Sequence, residues 1–219
     1  MSFAGVIFDM DGVLCDSEEF MAEAAAAMFA EAYGVTVQTD EFRPFRGMGE
    51  DRYLGGVARH HGVILNLAVA KNRAYEIFLQ RIPGRLQPLP GAREFIASCR
   101  ARGCKLAVAT SADRMKLNGM LPEIGLPHRL FDAIVTGSDV THKKPDPEIF
   151  LTAAKLINLP APDCLVVEDA ASGVRAAKAA GSRCLALTTS LDAGTLRGLG
   201  ADWVAADLAG VPAKIWEQD

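Results

Sequence analysis

The stretch Gly5-Val6-Ile7-Phe8-Asp9-Met10-Asp11-Gly12 sets the frame for the whole chain. Its apolar half has no polar alternation and reads as a strand covered on both faces, as parallel strands are. Its polar half places two carboxylates two residues apart at the carboxyl end of that strand, where ligands bind in open α/β sheets. Gly12 permits a sharp turn directly after them. Like charges crowded into one pocket are tolerated when a metal cation and a phosphate share it; otherwise one of the two would hold a proton. Standing alone, the same stretch would read equally well as an exposed acidic turn.

It does not stand alone. Apolar runs over 106–109, 133–135 and 164–167, and a weaker one over 184–187, read as further buried strands. Amphipathic stretches separate the later ones. The pattern over 92–102 is helical, and Gly103 falls where a helix stops. Asp146-Pro147 predicts an N-cap and a first-turn proline for a helix over 148–156. Strands alternating with helices give an α/β class, a doubly wound parallel sheet with right-handed crossovers.

The first crossover departs from this rhythm. After Asp16 come about seventy residues of helical pattern: an alanine-rich stretch over 17–33 that Gly34 can end, a second over 52–61 and a third over 67–80. Pro83, Gly84, Pro88, Pro90 and Gly91 punctuate the return. A helical cap inserted after the first strand is therefore expected over 16–87, with 1–15 and 88–219 forming the core. The proline and glycine cluster, with Leu14 to Asp16 opposite, is expected to supply the two hinge strands of a lid.

Composition narrows the class. The chain has 219 residues, half of them hydrophobic and 23% charged, with a net charge of -4. One domain with an insertion fits that length, and neither disorder nor a basic nucleic-acid-binding face fits that balance. The apolar run over 3–8 is too short for a signal-peptide core or a membrane span and ends in carboxylates, so a cytoplasmic protein without a membrane partner is expected. Cys15, Cys99, Cys104, Cys164 and Cys184 include no Cys-x-x-Cys pair and read as reduced thiols. Cys15, close behind the acidic loop, is the one with a conceivable redox role.

Each later strand end carries polar groups. Thr110-Ser111 follows the second strand, and a hydroxyl there can donate to a phosphoryl oxygen, although such residues are also common in turns. Lys143-Lys144-Pro145-Asp146 follows the third. A lysine held against a proline-fixed helix start can neutralise phosphoryl oxygens and the charge of a nucleophile, while the other lysine is expected in solvent. Glu168-Asp169 closes the fourth strand and would complete an oxygen-rich site suited to magnesium.

The ordered set Asp9-x-Asp11-Gly12-x-x-x-Asp16-Ser17-Glu18, Thr110, Lys144-Pro145 and Glu168-Asp169 resembles the four motifs of the haloacid dehalogenase superfamily, over nearly the whole chain. The resemblance implies a phosphatase that hydrolyses a small phosphate monoester, a sugar phosphate or similar metabolite, through an aspartyl-phosphate. It implies Asp9 as nucleophile, Asp11 as acid and then base, and Thr110 and Lys144 as the groups that orient and neutralise the phosphoryl group. Magnesium (Mg2+) would be held by Asp9, Asp169 and the backbone carbonyl of Asp11, with Glu168 assisting through the metal's waters. Such help is needed, because a carboxylate attacks a dianionic phosphate poorly unless metal and lysine screen the repulsion. Ser111, Arg46 and Lys71 are the candidate substrate contacts.

The inserted cap resembles that of β-phosphoglucomutase-like and phosphoglycolate phosphatase-like members. Lys71-Asn72 followed by Tyr75 is similar to a phosphate-contacting stretch of the mutase cap. The mutases, however, carry a histidine where this chain has Phe20-Met21 and an arginine where it has Gly47-Met48-Gly49-Glu50. The segment over 49–58 also resembles the phosphatase-like domain of plant chloroplast suppressor-of-quenching proteins. Of the cap-loop arginines Arg43, Arg46 and Arg52, at least one is expected to meet an anionic part of the substrate, unless all are solvated; Phe42, Phe45 and Met48 are expected to pack the lid. Asp11 speaks against a dehalogenase, which lacks that second acid. A phosphoacceptor receiver domain is about half this size and has no cap. A phosphosugar mutase and a quiet regulatory domain stay as alternatives, and a monomer is the favoured state.

Overall fold

The computed structural model describes residues 3–45 and 49–217. Its centre is a sheet of six parallel strands: β1 (Gly5–Phe8), β2 (Lys105–Ala109), β3 (Ala133–Val135), β4 (Cys164–Glu168), β5 (Arg183–Leu187) and β6 (Trp203–Ala205), in the order β3-β2-β1-β4-β5-β6. The chain moves outward from β1 in one direction, then returns to continue from its other edge. That reversal opens a crevice at the carboxyl ends of β1 and β4, the switch point at which doubly wound sheets bind ligands. Phe8 lies level with Val108 and Val167, so the residues that follow β1 and β4 emerge side by side.

Alternation along the strands sorts side chains into two cores. Val6, Phe8, Leu106, Val108, Leu165 and Val167 face one side, with residues of α4 (Ala92–Ala101) and α5 (Arg114–Glu123). The smaller set Ala107, Ala109 and Ala186, with Ile7 and Val166, faces the other, under α6 (Glu148–Leu156), α7 (Ala171–Ala179) and α8 (Ala193–Gly198). The strand β6 is not foreseen by the sequence reading, which ends its strands with the run over 184–187. At α6 the expectation shifts by one residue: Pro147 takes the capping position, and the Asp146 carboxylate accepts from the amide of Glu148 at 2.9 Å.

Between β1 and α4 lie α1 (Glu18–Tyr33), a 3-10 turn (Thr39–Phe45), α2 (Glu50–His60) and α3 (Leu67–Arg81). Gly34 ends α1 in the left-handed region at φ 66°, its amide donating to Ala30. Asn66 caps α3 by accepting from the amide of Val69. α1 packs against α3, and ion pairs Arg81–Glu23 and Arg73–Glu31 tie them at the surface. Phe42 is buried and stacks on Tyr53 with ring centroids 4.7 Å apart. The apolar interior of this lobe runs on into the larger-residue core of the sheet. Where the chain enters and leaves the lobe its two crossings pair: the Leu89 amide donates to Leu14 at 2.9 Å, and Cys15 bridges Pro88.

All five cysteines are buried free thiols. Cys15 is fully buried, and burial, then the Asp11 charge, pushes its thiol up, which opposes the thiolate that redox chemistry needs. Among the described residues, no helix is long and apolar enough to cross a membrane.

Candidate active site

The carboxyl end of β1 delivers Asp9, whose amide donates to Val167 at 3.0 Å, so the sheet itself fixes where its carboxylate stands. Lys144 reaches it from the loop before α6. Its Nζ donates to Asp9 Oδ1 at 2.5 Å, Glu168 Oε1 at 2.7 Å and the Ala109 carbonyl at 3.1 Å, which uses all three of its protons. The Lys144 side chain is 3% exposed and lies over the Phe150 ring. Glu168 Oε2 accepts from the amides of Asp169 and Ala170, at 2.8 and 2.9 Å, just before α7. Asp169 accepts from the Ser190 hydroxyl, while the Thr189 hydroxyl donates to the Gly12 carbonyl at 2.6 Å and stands 3.4 Å from the same carboxylate.

Two glycines make this packing possible. A Cβ on Gly173 would stand 1.7 Å from Glu168 Oε1, and one on Gly12, where φ is +78°, 1.9 Å from Asp169 Oδ2.

Three buried carboxylates thus share one ammonium, and their protonation reflects it. Burial pushes Asp9 up to about 7, against the pull of Lys144 and with a further push from Glu168. Asp169 is raised well above the carboxylate range by burial, then by Glu168 and Asp9. Burial lowers Lys144, but Asp9 and Glu168 together hold it above its ordinary value. Hard oxygen donors in excess of the local positive charge are the setting a divalent cation fits, and the donor set here suits magnesium.

Asp11 faces the helical lobe. Its Oδ1 accepts from the Ser17 hydroxyl and its Oδ2 from Lys116 Nζ at 2.8 Å. Lys116 stands on α5 with its side chain 4% exposed, and its second carboxylate is Glu50, the first residue of α2, at 3.6 Å. Burial lowers the Lys116 ammonium and Asp11 and Glu50 more than reverse this; burial raises Glu50, with Lys116 opposing. Lys116 and Glu50 escape the sequence reading. The available signal was Lys116 in the apolar stripe of α5, four residues before Met120 and beside Leu117, where a solvated lysine does not belong.

At the end of β2 the Thr110 amide donates to Val135, and its Oγ1 accepts from Ala112 at 3.1 Å, which leaves the hydroxyl proton for the cleft. Asp9, Asp11, Thr110, Ser111, Lys144, Glu168 and Asp169 all line one cleft of about 550 Å³, with Lys116, Glu50 and the exposed Arg43 and Arg52. Lys71 is outside it. Its ammonium pairs with Asp51 at 2.9 Å and Asp113 at 2.6 Å. Lys143 is half-buried against Gly49 and Gly137 instead of standing in solvent. Phe45 lines the cleft and packs on Gly56. Arg46 and Met48 lie outside the described residues. His142, Asp146 and Glu148 form a separate group near the surface, away from the cleft and already joined by a 2.9 Å contact between His142 and Glu148.

Known proteins resemble this chain along most of its length. It is 43% identical over 211 residues to Protein SUPPRESSOR OF QUENCHING 1, chloroplastic, of Arabidopsis thaliana, covering 95% of this chain and 20% of that protein, so it spans a fifth of that relative. It is 36% identical over 176 residues to the Phosphorylated carbohydrates phosphatase of Thermotoga maritima, covering 80% of this chain and 81% of that one. The crystal structure of CbbY from Rhodobacter sphaeroides in complex with phosphate superposes with a TM-score of 0.86 at 28% identity, covering 94% of this chain and 95% of that one. The model of the haloacid dehalogenase-like hydrolases matches residues 3–181, a span containing the four strands whose ends and following loops build the cleft. On that match the chain is an enzyme belonging to the haloacid dehalogenase-like hydrolase family.

Proposed function

We propose that this enzyme hydrolyses a small phosphate monoester, a sugar phosphate or similar metabolite, through a phosphoryl group carried on Asp9. The observation that carries the reading is the division of labour between two neighbouring aspartates. Asp9 sits with Lys144, Glu168 and Asp169, while Asp11 is held two residues away by Ser17 and Lys116. The phosphatase named for phosphorylated carbohydrates in Thermotoga maritima supports the same reaction class.

In the first step a carboxylate oxygen of Asp9 forms a bond to phosphorus as the bond from phosphorus to the ester oxygen breaks. Asp11 gives its proton to that leaving oxygen, and the alcohol departs. In the second step Asp11 takes a proton from water, whose oxygen attacks phosphorus, and the bond to Asp9 breaks to release phosphate. The hydroxyl of Thr110 holds a phosphoryl oxygen, Lys144 neutralises the phosphoryl group by turning to it the proton that the unreacted Asp9 carboxylate accepts, and the Ser111 side of the cleft bounds them. Asp9, Asp169 and the Asp11 carbonyl would hold magnesium, with Glu168 behind its waters; the ion supplies positive charge that screens the phosphate from the nucleophile. Residues 16–87 act as the lid and 1–15 with 88–219 as the core. Lys71, whose stretch resembles the mutase cap, has its charge taken by Asp51 and Asp113, which favours hydrolysis over mutase chemistry.

The test is phosphate release from a panel of sugar phosphates, phosphoglycolate, nucleotides and p-nitrophenyl phosphate, with magnesium or chelator. Magnesium-dependent release is expected, falling by about 10^4-fold or more in Asp9→Asn, as when a covalent nucleophile is removed. Folded, magnesium-supplied protein that releases phosphate from none of them overturns the reading.

A further inference from the structure

Thr189, Ser190 and Leu191 follow β5 and form the wall of the cleft beside Asp169. This short loop is fixed at both ends. The Thr188 amide donates to the Ala205 carbonyl at 2.9 Å, and Asp192 caps α8 by accepting from the Thr195 amide at 3.0 Å and its hydroxyl at 2.6 Å. Between them Leu191 packs on the smaller-residue core. The backbone that carries the two hydroxyls is therefore held in place, whatever the groups bonded to them do.

What Ser190 holds is one oxygen of Asp169. Its hydroxyl donates to Oδ2, and the Thr189 hydroxyl, committed to the Gly12 carbonyl at 2.6 Å, stands 3.4 Å from the same oxygen. That oxygen also lies against Gly12, where a Cβ would come within 1.9 Å of it but 2.9 Å from Oδ1. The neighbouring acids are constrained in the same manner: Asp9 Oδ1 and Glu168 Oε1 accept from Lys144, and Glu168 Oε2 accepts from two amides. While these bonds stand, Asp9 and Asp169 each keep one oxygen to offer a cation, and Glu168 offers neither of its own directly. Few single protein oxygens completed by water suit magnesium, which is small, strictly octahedral and reluctant to shed its waters. Calcium takes about six to eight oxygens and accepts both oxygens of one carboxylate.

We propose that Ser190 is a positioning residue that sets cation selectivity: by holding Oδ2 it makes Asp169 a single-oxygen ligand, which favours magnesium over calcium. The assignment rests on the magnesium site of the reading above. Without the hydroxyl Asp169 can turn both oxygens to the cation, and one hydrogen bond to a charged acceptor sets the scale of the change at about 10-fold.

The experiment titrates the full chain with magnesium chloride and, separately, calcium chloride by isothermal titration calorimetry, in wild type, Ser190→Ala and Ser190→Thr, and follows phosphate release from the ester panel alongside. The ratio of the calcium Kd to the magnesium Kd is expected to fall about 10-fold in Ser190→Ala and to stay within about 2-fold of wild type in Ser190→Thr, which keeps the hydroxyl. A merely structural role would weaken both cations alike. Ser190 is exposed in a loop, and Ser190→Gly, which also lacks the hydroxyl, repeats the measurement if Ser190→Ala fails to fold. A ratio that stays within about 2-fold of wild type when the hydroxyl is removed, or that falls as far in Ser190→Thr, overturns the role of Ser190 and leaves the phosphatase reading standing. The expected fall in the ratio, with no phosphate released from any ester by wild type, overturns the phosphatase reading and keeps the assignment. Wild type that binds neither cation overturns the assignment and the magnesium dependence with it.

Discussion

Two buried lysines face the two aspartates of the cleft, and they are held in different ways. Lys144 donates to three acceptors, Asp9, Glu168 and Ala109, which all belong to the strand ends of the sheet. Lys116 donates to Asp11 at the end of β1 and reaches Glu50, across the cleft on α2, only at 3.6 Å. The surroundings of the first aspartate are therefore complete in the sheet alone. Those of the second depend on where α2 sits. The position of α2 and Asp11 are joined through one side chain, whereas the position of α2 and Asp9 are not.

The largest effect expected from this asymmetry belongs to Lys144. Lys144→Met leaves three buried carboxylates without their cation, and kcat is expected to fall about 10^2- to 10^3-fold, the usual loss for removing a group that stabilises developing charge. Lys144→Arg should not restore it, because a planar guanidinium cannot aim three protons at the acceptors a compact ammonium serves. Steady-state kinetics on one sugar phosphate measures both, and a smaller loss than for Lys116→Met breaks the comparison.

Lys116→Met comes next. It keeps the length of the side chain but releases Asp11 to Ser17 alone, so a drop of about 10- to 100-fold in kcat is expected, the scale of a general acid displaced from its working position. A cycle with Glu50→Leu sharpens the point. At 3.6 Å the coupling between Lys116 and Glu50 should amount to about 0.5–1 kcal/mol, and full additivity would mean that the lid does not communicate with Asp11 through this lysine.

A third test moves from charge to space. Gly173→Ala would put a Cβ 1.7 Å from Glu168 Oε1 and force that carboxylate off Lys144. A loss of about 1–3 kcal/mol in denaturant unfolding is expected, as for other overpacked sites. Gly198→Ala in α8, where a Cβ meets nothing within 4 Å, should instead be neutral or stabilising by up to about 1 kcal/mol. Equal effects at the two glycines would mean that Glu168 has room to move.

The same contrast runs through what the sequence discloses. Strands β1 to β4 were legible because each is a continuous apolar run, and the groups at their ends followed from the rule that ligands meet a parallel sheet at its carboxyl edge. Lys144 could be found because Pro145 and the start of α6 mark its place locally. Lys116 and Asp11 are 105 residues apart, and no local pattern in either segment announces the other. Ser190, which holds Asp169, and Thr189, which holds the Gly12 carbonyl, follow β5, whose apolar run is weaker than the others, so the strand-end rule marks them less plainly. Lys71 went the other way: its similarity to a mutase stretch carried no information about Asp51 and Asp113, the two carboxylates that claim it.

Away from the cleft, carboxylates are tuned in the opposite direction, and this gives the smallest expected effect. Burial pushes Asp132 up, but the Leu106 amide at 2.8 Å and the Arg100 guanidinium push harder, so its carboxyl is held below the usual range. A carboxylate whose folded pKa is depressed contributes stability above its unfolded value, about 3.9, and loses that contribution as pH falls through the folded value. Asp9, raised to about 7, has the reverse sign: its shift favours the fold at low pH and is lost as pH rises toward 7. Asp132→Asn should therefore cost about 1 kcal/mol at pH 7, measured by urea unfolding, since the site is partly open to solvent. The cost should shrink from about pH 3.9 downward and reach zero only below the depressed folded value, where both proteins carry a neutral group at this position. A cost that stays constant down to acid pH would assign the contribution of Asp132 to its hydrogen-bond geometry at the edge of β2 and not to its charge.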